Sequence, residues 1–272
     1  MNSIEPTQRP PRDEDQTGKT SLKPEEGLNE TTAIRAILSR TPARILDGRA
    51  GSSYRTSSQL KLREAHAAAV DAVHDELDLH STLSDEFCRQ WKLFEVATLA
   101  TSKAEFLLRP DLGRQLSPQA RETIKARCEP NADVQIVIGD GLSVAAIAAQ
   151  VPQLLPFLLE RAKGNGWHVG QPFVVRYCRV GVLNDIGELV SPTVTVLLIG
   201  ERPGLATAES LSAYLAFRPN RNHSDADRNL ISNIHARGTP PSQAATRIID
   251  LISAMMSKQI SGTKLSLPSL KP

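Results

Sequence analysis

The sequence predicts an α/β protein: a mostly parallel sheet flanked by helices, preceded by a small helical domain and a disordered tail. Three observations point there. Short, nearly continuous apolar runs rich in β-branched residues occur at 134–139, 173–177 and 193–199, and runs of that length and composition are strands buried on both faces. Helical patterns separate them, the alternation that builds parallel sheets with helices on both sides. The first 30 residues carry Pro6, Pro10, Pro11 and Pro24 and few large apolar groups, too little burial to offset ordering entropy.

Taken in order, residues 31–65 change sign. Arg35, Arg40, Arg44, Arg49, Arg55, Lys61 and Arg63 face only Asp47 and Glu64. A helix is predicted over 58–79, where Leu62, His66, Ala69, Val70, Val73 and Leu77 repeat at three-to-four spacing. A short extended piece is expected near Phe106 to Leu108. Ser117-Pro118 opens another helix, an N-cap followed by Pro at the first helical position, closed at Glu129-Pro130. After the first strand a helix runs over 142–163, with Pro152 and Pro156 expected to break or kink it. Tyr214 to Phe217 suits a fourth strand. Thr239-Pro240-Pro241 starts a last helix with a wide apolar face of Ala244, Ala245, Ile248, Ile249, Ile252, Met255 and Met256. The resulting organisation is a tail over 1–30, a helical domain over 31–130 and a Rossmann-like domain over 131–272.

Composition narrows the function classes. The 272 residues are 40% hydrophobic and 23% charged with net charge +2, ordinary for a globular protein and too weakly basic to imply nucleic acid. Aromatic residues are 4% of the chain, so Trp91 and Trp167 suit core or interface anchors better than a base-stacking platform. No window reaches the ~18 apolar residues of a membrane-spanning helix. The start resembles no secretory signal. Cys88, Cys128 and Cys178 are far apart and odd in number, which argues for structural thiols in a reducing cytosol.

Ligands of open parallel sheets collect beyond the carboxyl ends of the strands. Three strand ends carry chemistry: Gly139-Asp140-Gly141-Leu142-Ser143, Arg176-Tyr177-Cys178-Arg179-Val180, and Gly200-Glu201-Arg202-Pro203-Gly204. The first is a partial dinucleotide fingerprint without its third glycine, and a tight turn capped by Asp140 or Ser143 is the simpler reading. On composition alone Glu201 and Arg202 suit a surface ion pair, worth under ~1 kcal/mol. Asn233-Ile234-His235-Ala236-Arg237-Gly238 differs by its first residue from a motif that supplies histidine to cobalt in some cobalamin mutases. Asn lacks the charge that raises imidazole basicity in such a pair, so His235 is assigned a structural or interface role.

A set of strings, in order and at matching spacing, resembles the small subunit of ethanolamine ammonia-lyase. They are Leu108-Arg-Pro-Asp-Leu-Gly-Arg114, Asn131-Ala-Asp-Val-Gln-Ile-Val-Ile-Gly-Asp-Gly-Leu-Ser143, Phe173-Val-Val-Arg-Tyr-Cys-Arg-Val180, Leu198-Ile-Gly-Glu-Arg-Pro-Gly-Leu205, Glu209-Ser-Leu-Ser212, and Ile231-Ser-Asn-Ile-His235 with Gly238-Thr-Pro-Pro241. A weaker match lies at Ile45-Leu-Asp-Gly-Arg-Ala-Gly51. The resemblance implies an adenosylcobalamin-dependent lyase that converts ethanolamine to acetaldehyde and ammonia. It implies a large barrel subunit that performs the radical chemistry, a small subunit that covers part of the cofactor, and a hexamer of large–small pairs. Val180 and Glu201 fall on the family's cobalamin-contacting positions. A third position, where some members have cysteine, falls on Leu230. The family keeps the cofactor's own dimethylbenzimidazole on cobalt, and no residue of this chain is assigned as catalytic or as a metal ligand. Glu201→Ala is expected to weaken cobalamin affinity while leaving the subunit folded. The basic segment from Arg35 to Arg63 is assigned to docking on the large subunit. The complex is expected in the cytoplasm, free or inside a bacterial microcompartment. Two rival classes are a stand-alone Rossmann-type nucleotide-binding enzyme and a basic RNA-binding module.

Overall fold

The computed structural model describes residues 30–40 and 49–266. The expected tail lies outside them, save its last residue. Residues 1–40 form one unit, in which α1 (Glu30–Leu38) is described by itself, and 41–272 form the other.

The larger unit begins with a small hairpin, β1 (Arg49–Ala50) and β2 (Ser53–Tyr54). Next come α2 (Thr56–His74), α3 (Leu79–Leu83), α4 (Asp85–Gln90), β3 (Glu95–Ala97), α5 (Lys103–Leu108) and α6 (Pro118–Arg127). The rest alternates: β4 (Val134–Gly139), α7 (Val144–Gly164), β5 (Phe173–Arg176), α8 (Val182–Val190), β6 (Val194–Gly200), β7 (Leu211–Phe217), β8 (Asn229–Ile234) and α9 (Pro241–Lys258).

One six-stranded sheet, ordered β3-β5-β4-β6-β7-β8, organises this unit. The first four strands are parallel, and β7 and β8 continue it antiparallel. The expected α/β architecture is therefore present, with a mixed margin. Strand β3 precedes residue 130, so the sheet draws on chain from both sides of the expected domain boundary.

Successive residues of a strand face opposite ways, and the two cores follow that alternation. Ile136, Ile138, Val196, Leu198 and Leu215 pack with α7 and α9 on one face. Val137, Val175, Leu197 and Ile199 pack with α6 and α8 on the other. Because β4 and β6 are buried on both faces, they are apolar without alternation.

Several elements differ from expectation. Residues 106–108 end α5 and are not strand. Ser102 accepts a hydrogen bond from the Glu105 amide and the Glu105 carboxylate accepts one from the Thr101 amide, so local capping decides the conformation. Helix α2 stops at His74, and His66 and Val70 face solvent, while Leu62, Ala69 and Val73 are partly covered. Helix α7 continues through Pro152 and Pro156. Each proline removes a helix hydrogen bond, but Ile147, Val151, Leu154, Leu155 and Leu158 are almost wholly buried along the same helix and hold it against the sheet. Ser117 caps α6 ahead of Pro118, and α9 starts at Pro241, both as expected. Strands β1, β2, β3 and β8 and helix α8 had no counterpart among the expected elements.

Candidate functional site

Glu201 follows β6 directly and its carboxylate joins three segments. Oε2 accepts from the Ser210 hydroxyl at 2.7 Å, and Oε1 from the Ser212 hydroxyl at 2.5 Å and the Asn233 amide at 2.9 Å. Ser210 and Ser212 are two residues apart along an extended segment, so both hydroxyls turn the same way. Asn233 is delivered by a break in the β7–β8 register between Leu211 and Ala213. There Asn233 adopts φ 59°, and its N–H leaves the ladder for Glu201, as bulges often re-aim groups next to functional sites. Arg202 has no ion-pair or hydrogen-bond partner among the described residues, so the expected Glu201–Arg202 surface pair does not form.

The loop after β6 is held from below by α7. The Ser143 hydroxyl caps that helix and also donates to the Ala208 carbonyl at 2.5 Å, and Gln150 donates to the Glu209 carbonyl. Leu142 N–H donates to the Gly200 carbonyl. A Cβ on Gly141, at φ +57°, would collide with that carbonyl, and one on Gly200 would collide with the Ser143 carbonyl. The glycines of the partial fingerprint thus let two protein turns nest. The space a dinucleotide's phosphates need at such a turn is filled by protein backbone.

Asp140 is 1% exposed and does not cap α7. Its carboxylate accepts the amides of Tyr177 and Cys178, both at 2.8 Å, which holds Tyr177 in the left-handed region at φ 56°. Burial raises the Asp140 pKa, against the nearby Lys103 ammonium and the backbone donors. Lys103, 3% exposed, donates to the Gly141 carbonyl, and burial lowers its pKa. This pair fixes the ends of β4 and β5, and with them the segment carrying Val180.

Val180 and Tyr214 are both half-buried against the second core. Leu230 pairs with Tyr214 across the β7–β8 ladder, and Tyr214 pairs with Leu197 of that core. Val180, Glu201 and Leu230 therefore lie on one side of the sheet, the side α8 covers farther in. At the antiparallel margin that cover gives out: Leu230 is 49% exposed, and Ser232 faces solvent beside it. Burial raises the Tyr214 phenol pKa, followed by the Glu201 and Asp225 carboxylates and against Arg228, which places Tyr214 among all three charges. Tyr214, Ser210, Ser212 and Asn233 were not expected as site residues. Their sequence signals were the Ser-Leu-Ser spacing for Ser210 and Ser212 and the Asn233-Ile234-His235 string for Asn233.

His235 is 5% exposed. Its Nδ1 accepts the Arg237 amide at 3.2 Å and its Nε2 donates to Asn233 Oδ1 at 2.7 Å. Both ring nitrogens are engaged by protein, consistent with a structural histidine. No group of three or more His, Cys, Asp or Glu side chains suited to a metal ion occurs among the described residues.

These features define a three-layer α/β protein with an uncovered apolar margin, bordered by a hydrogen-bonded carboxylate, at the antiparallel end of its sheet. The model of the ethanolamine ammonia-lyase light chain (EutC) family matches residues 31–266. Proteins described as ethanolamine ammonia-lyase small subunits are similar over most of the chain. The one from Clostridium perfringens is 45% identical over 233 residues, 86% of this chain and 77% of the relative. Those from Clostridium acetobutylicum and Fusobacterium nucleatum are 40% and 42% identical, over 89% and 84% of this chain and 96% and 75% of theirs. The chain belongs to the ethanolamine ammonia-lyase light chain family.

Proposed function

We propose that this subunit holds adenosylcobalamin against a large catalytic subunit, in a complex that converts ethanolamine to acetaldehyde and ammonia. The observation that carries this reading is the margin where Val180, Tyr214 and Leu230 offer apolar surface beside Glu201. A corrin has an apolar rim set with neutral amide groups, and this margin fits it. An ionised carboxylate has about four acceptor sites; three on Glu201 are filled by Ser210, Ser212 and Asn233, which leaves one on Oε2 for an amide N–H. When bound, adenosylcobalamin supplies the radical chemistry. The residues of this chain orient the ring and exclude water, with no proton transfer assigned to them.

Helix α2 supports a partner on another surface. Leu60 and Val70 are 58% and 44% exposed beside Lys61 and Arg63, apolar and basic groups suited to a docking face. No helix among the described residues is long and apolar enough to cross a membrane. On this reading the complex works in the cytoplasm, free or within a bacterial microcompartment, as a hexamer of large–small pairs. The test is equilibrium dialysis of adenosylcobalamin, followed by its absorbance, on the complex reconstituted with the large subunit. Leu230→Asp, at an exposed edge position, is expected to weaken binding about tenfold or more while the subunits still co-elute, because it sets a charge against an apolar rim. Unchanged affinity would remove Leu230 from the contact, and absence of corrin binding in the wild-type complex would end the reading.

A further inference from the structure

Val180, Glu201 and Leu230 each have an arginine within two positions: Arg179 before Val180, Arg202 after Glu201, Arg228 before Leu230. A fourth, Arg114, reaches the same region from the turn after α5. Its side chain lies on Gly181, where a Cβ would meet Arg114 Cγ at 2.8 Å, and the Arg179 stem lies similarly on Gly113 at 2.7 Å. Arg114, Gly181, Asn184, His223 and Arg228 share one cleft of about 550 Å³.

The guanidinium groups are under-partnered. Arg114, Arg179 and Arg202 have no hydrogen bond or ion pair from their guanidinium groups among the described residues. Arg179 rests on the Phe106 ring at 4.3 Å with its buried Nε unbonded. The Arg228 side chain is 5% exposed; its terminal nitrogens bond Asp225 and Asn184, and its buried Nε has no partner. Burial lowers the Arg179 pKa, and the nearby Arg202 and Arg114 lower it further. Burial also lowers that of Arg228, against Asp225 and with Arg114 adding to the fall. Two further acids in the cleft are already engaged, Asp185 by Arg121 and the Leu116 amide, Glu188 by Arg221. Asp140 acts against the fall at Arg179 and Asp227 against that at Arg228. But Asp140 is matched by Lys103 and Asp227 accepts from the Ser224 amide and hydroxyl, so Arg114, Arg179 and Arg202 still repel one another without a bonded anion.

We propose that Arg114, Arg179, Arg202 and Arg228 form a subsite for a phosphodiester, supplied by the ligand that lies on the Val180–Tyr214–Leu230 margin. This rests on the cofactor reading, and chemistry selects the group. The amide side chains of a corrin are neutral, so the anion cobalamin offers is the phosphodiester linking ring to lower base. Guanidinium forks match phosphate oxygens in geometry and charge.

The test compares dissociation constants of adenosylcobinamide phosphate and adenosylcobinamide, which lacks the phosphate, in the assembled large–small complex by dialysis and absorbance. In the wild-type complex the phosphate is expected to improve affinity about tenfold or more, the effect of roughly one charge-assisted hydrogen bond. In an Arg114→Gln, Arg202→Gln variant, changed at two exposed positions, that ratio should fall towards one with adenosylcobinamide affinity unaltered. Inorganic phosphate should compete with adenosylcobalamin and not with adenosylcobinamide. A ratio unchanged by the substitutions, or an equal loss for both corrins, overturns the subsite and leaves the cofactor reading standing. Loss of subunit association with the ratio intact assigns the arginines to an acidic surface of the partner instead. If the wild-type complex binds neither corrin, the cofactor reading falls and takes the subsite with it.

Discussion

Glu201 shows how a single carboxylate ties three segments together. Its carboxylate is the acceptor for two buried hydroxyls and a bulged amide, and Ser210 and Ser212 are 8% and 3% exposed. Truncation to alanine strands those donors, at about 1–3 kcal/mol for each unsatisfied group. Glu201→Ala is therefore expected to lower unfolding free energy by roughly 2–4 kcal/mol, net of water entering the space. That loss would accompany the expected fall in cobalamin affinity and is small enough to leave the subunit folded. Glu201→Gln keeps the shape and one acceptor oxygen, so urea unfolding should show less than half that loss; equal losses would contradict the hydrogen-bond account. A second carboxylate governs acid behaviour. Glu188 accepts two hydrogen bonds from the Arg221 side chain and one from its amide, which hold its pKa down to about 2. The unfolded chain, with a glutamate near ~4.3, binds that proton more tightly, so the stabilisation is full above the ordinary value and fades as pH falls through about 2. The melting-temperature gap between wild type and Glu188→Gln should be constant near neutrality and close on acidification. A gap that widens in acid would refute the assignment.

At the scale of elements, what was legible followed burial. Strands β4 and β6 stand out because both faces are covered, and α9 because a continuous stripe from Ala244 to Met255 is buried. Strand β8 was missed for the converse reason. Its exposed polar residues Ser232 and Asn233 interrupt the apolar run, as expected at a sheet edge. The site was half legible: the loops beyond the strands were visible, but the partners of Glu201 lie 9 to 32 residues away and meet only in the folded sheet. The misread piece at 106–108 was decided by the Ser102–Glu105 spacing upstream, a cap signal outweighed by the aromatic residue at Phe106. Glycines separate local from long-range control in the same way. Gly200→Ala places a Cβ against the Ser143 carbonyl and should cost roughly 1–3 kcal/mol, the range for forced overpacking. At Gly164, the end of α7, a Cβ would meet nothing within 4 Å, so Gly164→Ala should gain about 0.4–1 kcal/mol through the unfolded chain. Paired urea melts check both; a neutral Gly200→Ala would show that the two turns can separate.

Across the whole molecule, three thiols report whether the chain on either side of residue 130 unfolds together. Cys88 lies in the core beneath α7 and α9, while Cys128 and Cys178 lie in the core beneath α6 and α8. All three are free and buried. Burial raises each pKa, that of Cys128 to about 11 and that of Cys178 well above the ordinary thiol value. Since the thiolate is the reactive species, a disulfide reagent near pH 8 should find essentially no reactive cysteine in the native protein. The two cores share one sheet, and residues before 130 enter both: Leu79, Leu83 and Leu93 in the first, Phe94, Val96 and Ile124 in the second. Strand β3 also pairs directly with β5 through Glu95–Val174 and Val96–Val175. Opening either layer removes support from the other, which is the condition for a cooperative transition. Pulsed alkylation across a urea series, read by peptide mass spectrometry, should therefore give Cys88, Cys128 and Cys178 a common midpoint. Earlier labelling of Cys88 with Cys178 still protected would mean that the α3–α4 layer opens on its own, and that the sheet side bearing Val180 and Leu230 keeps its form without it.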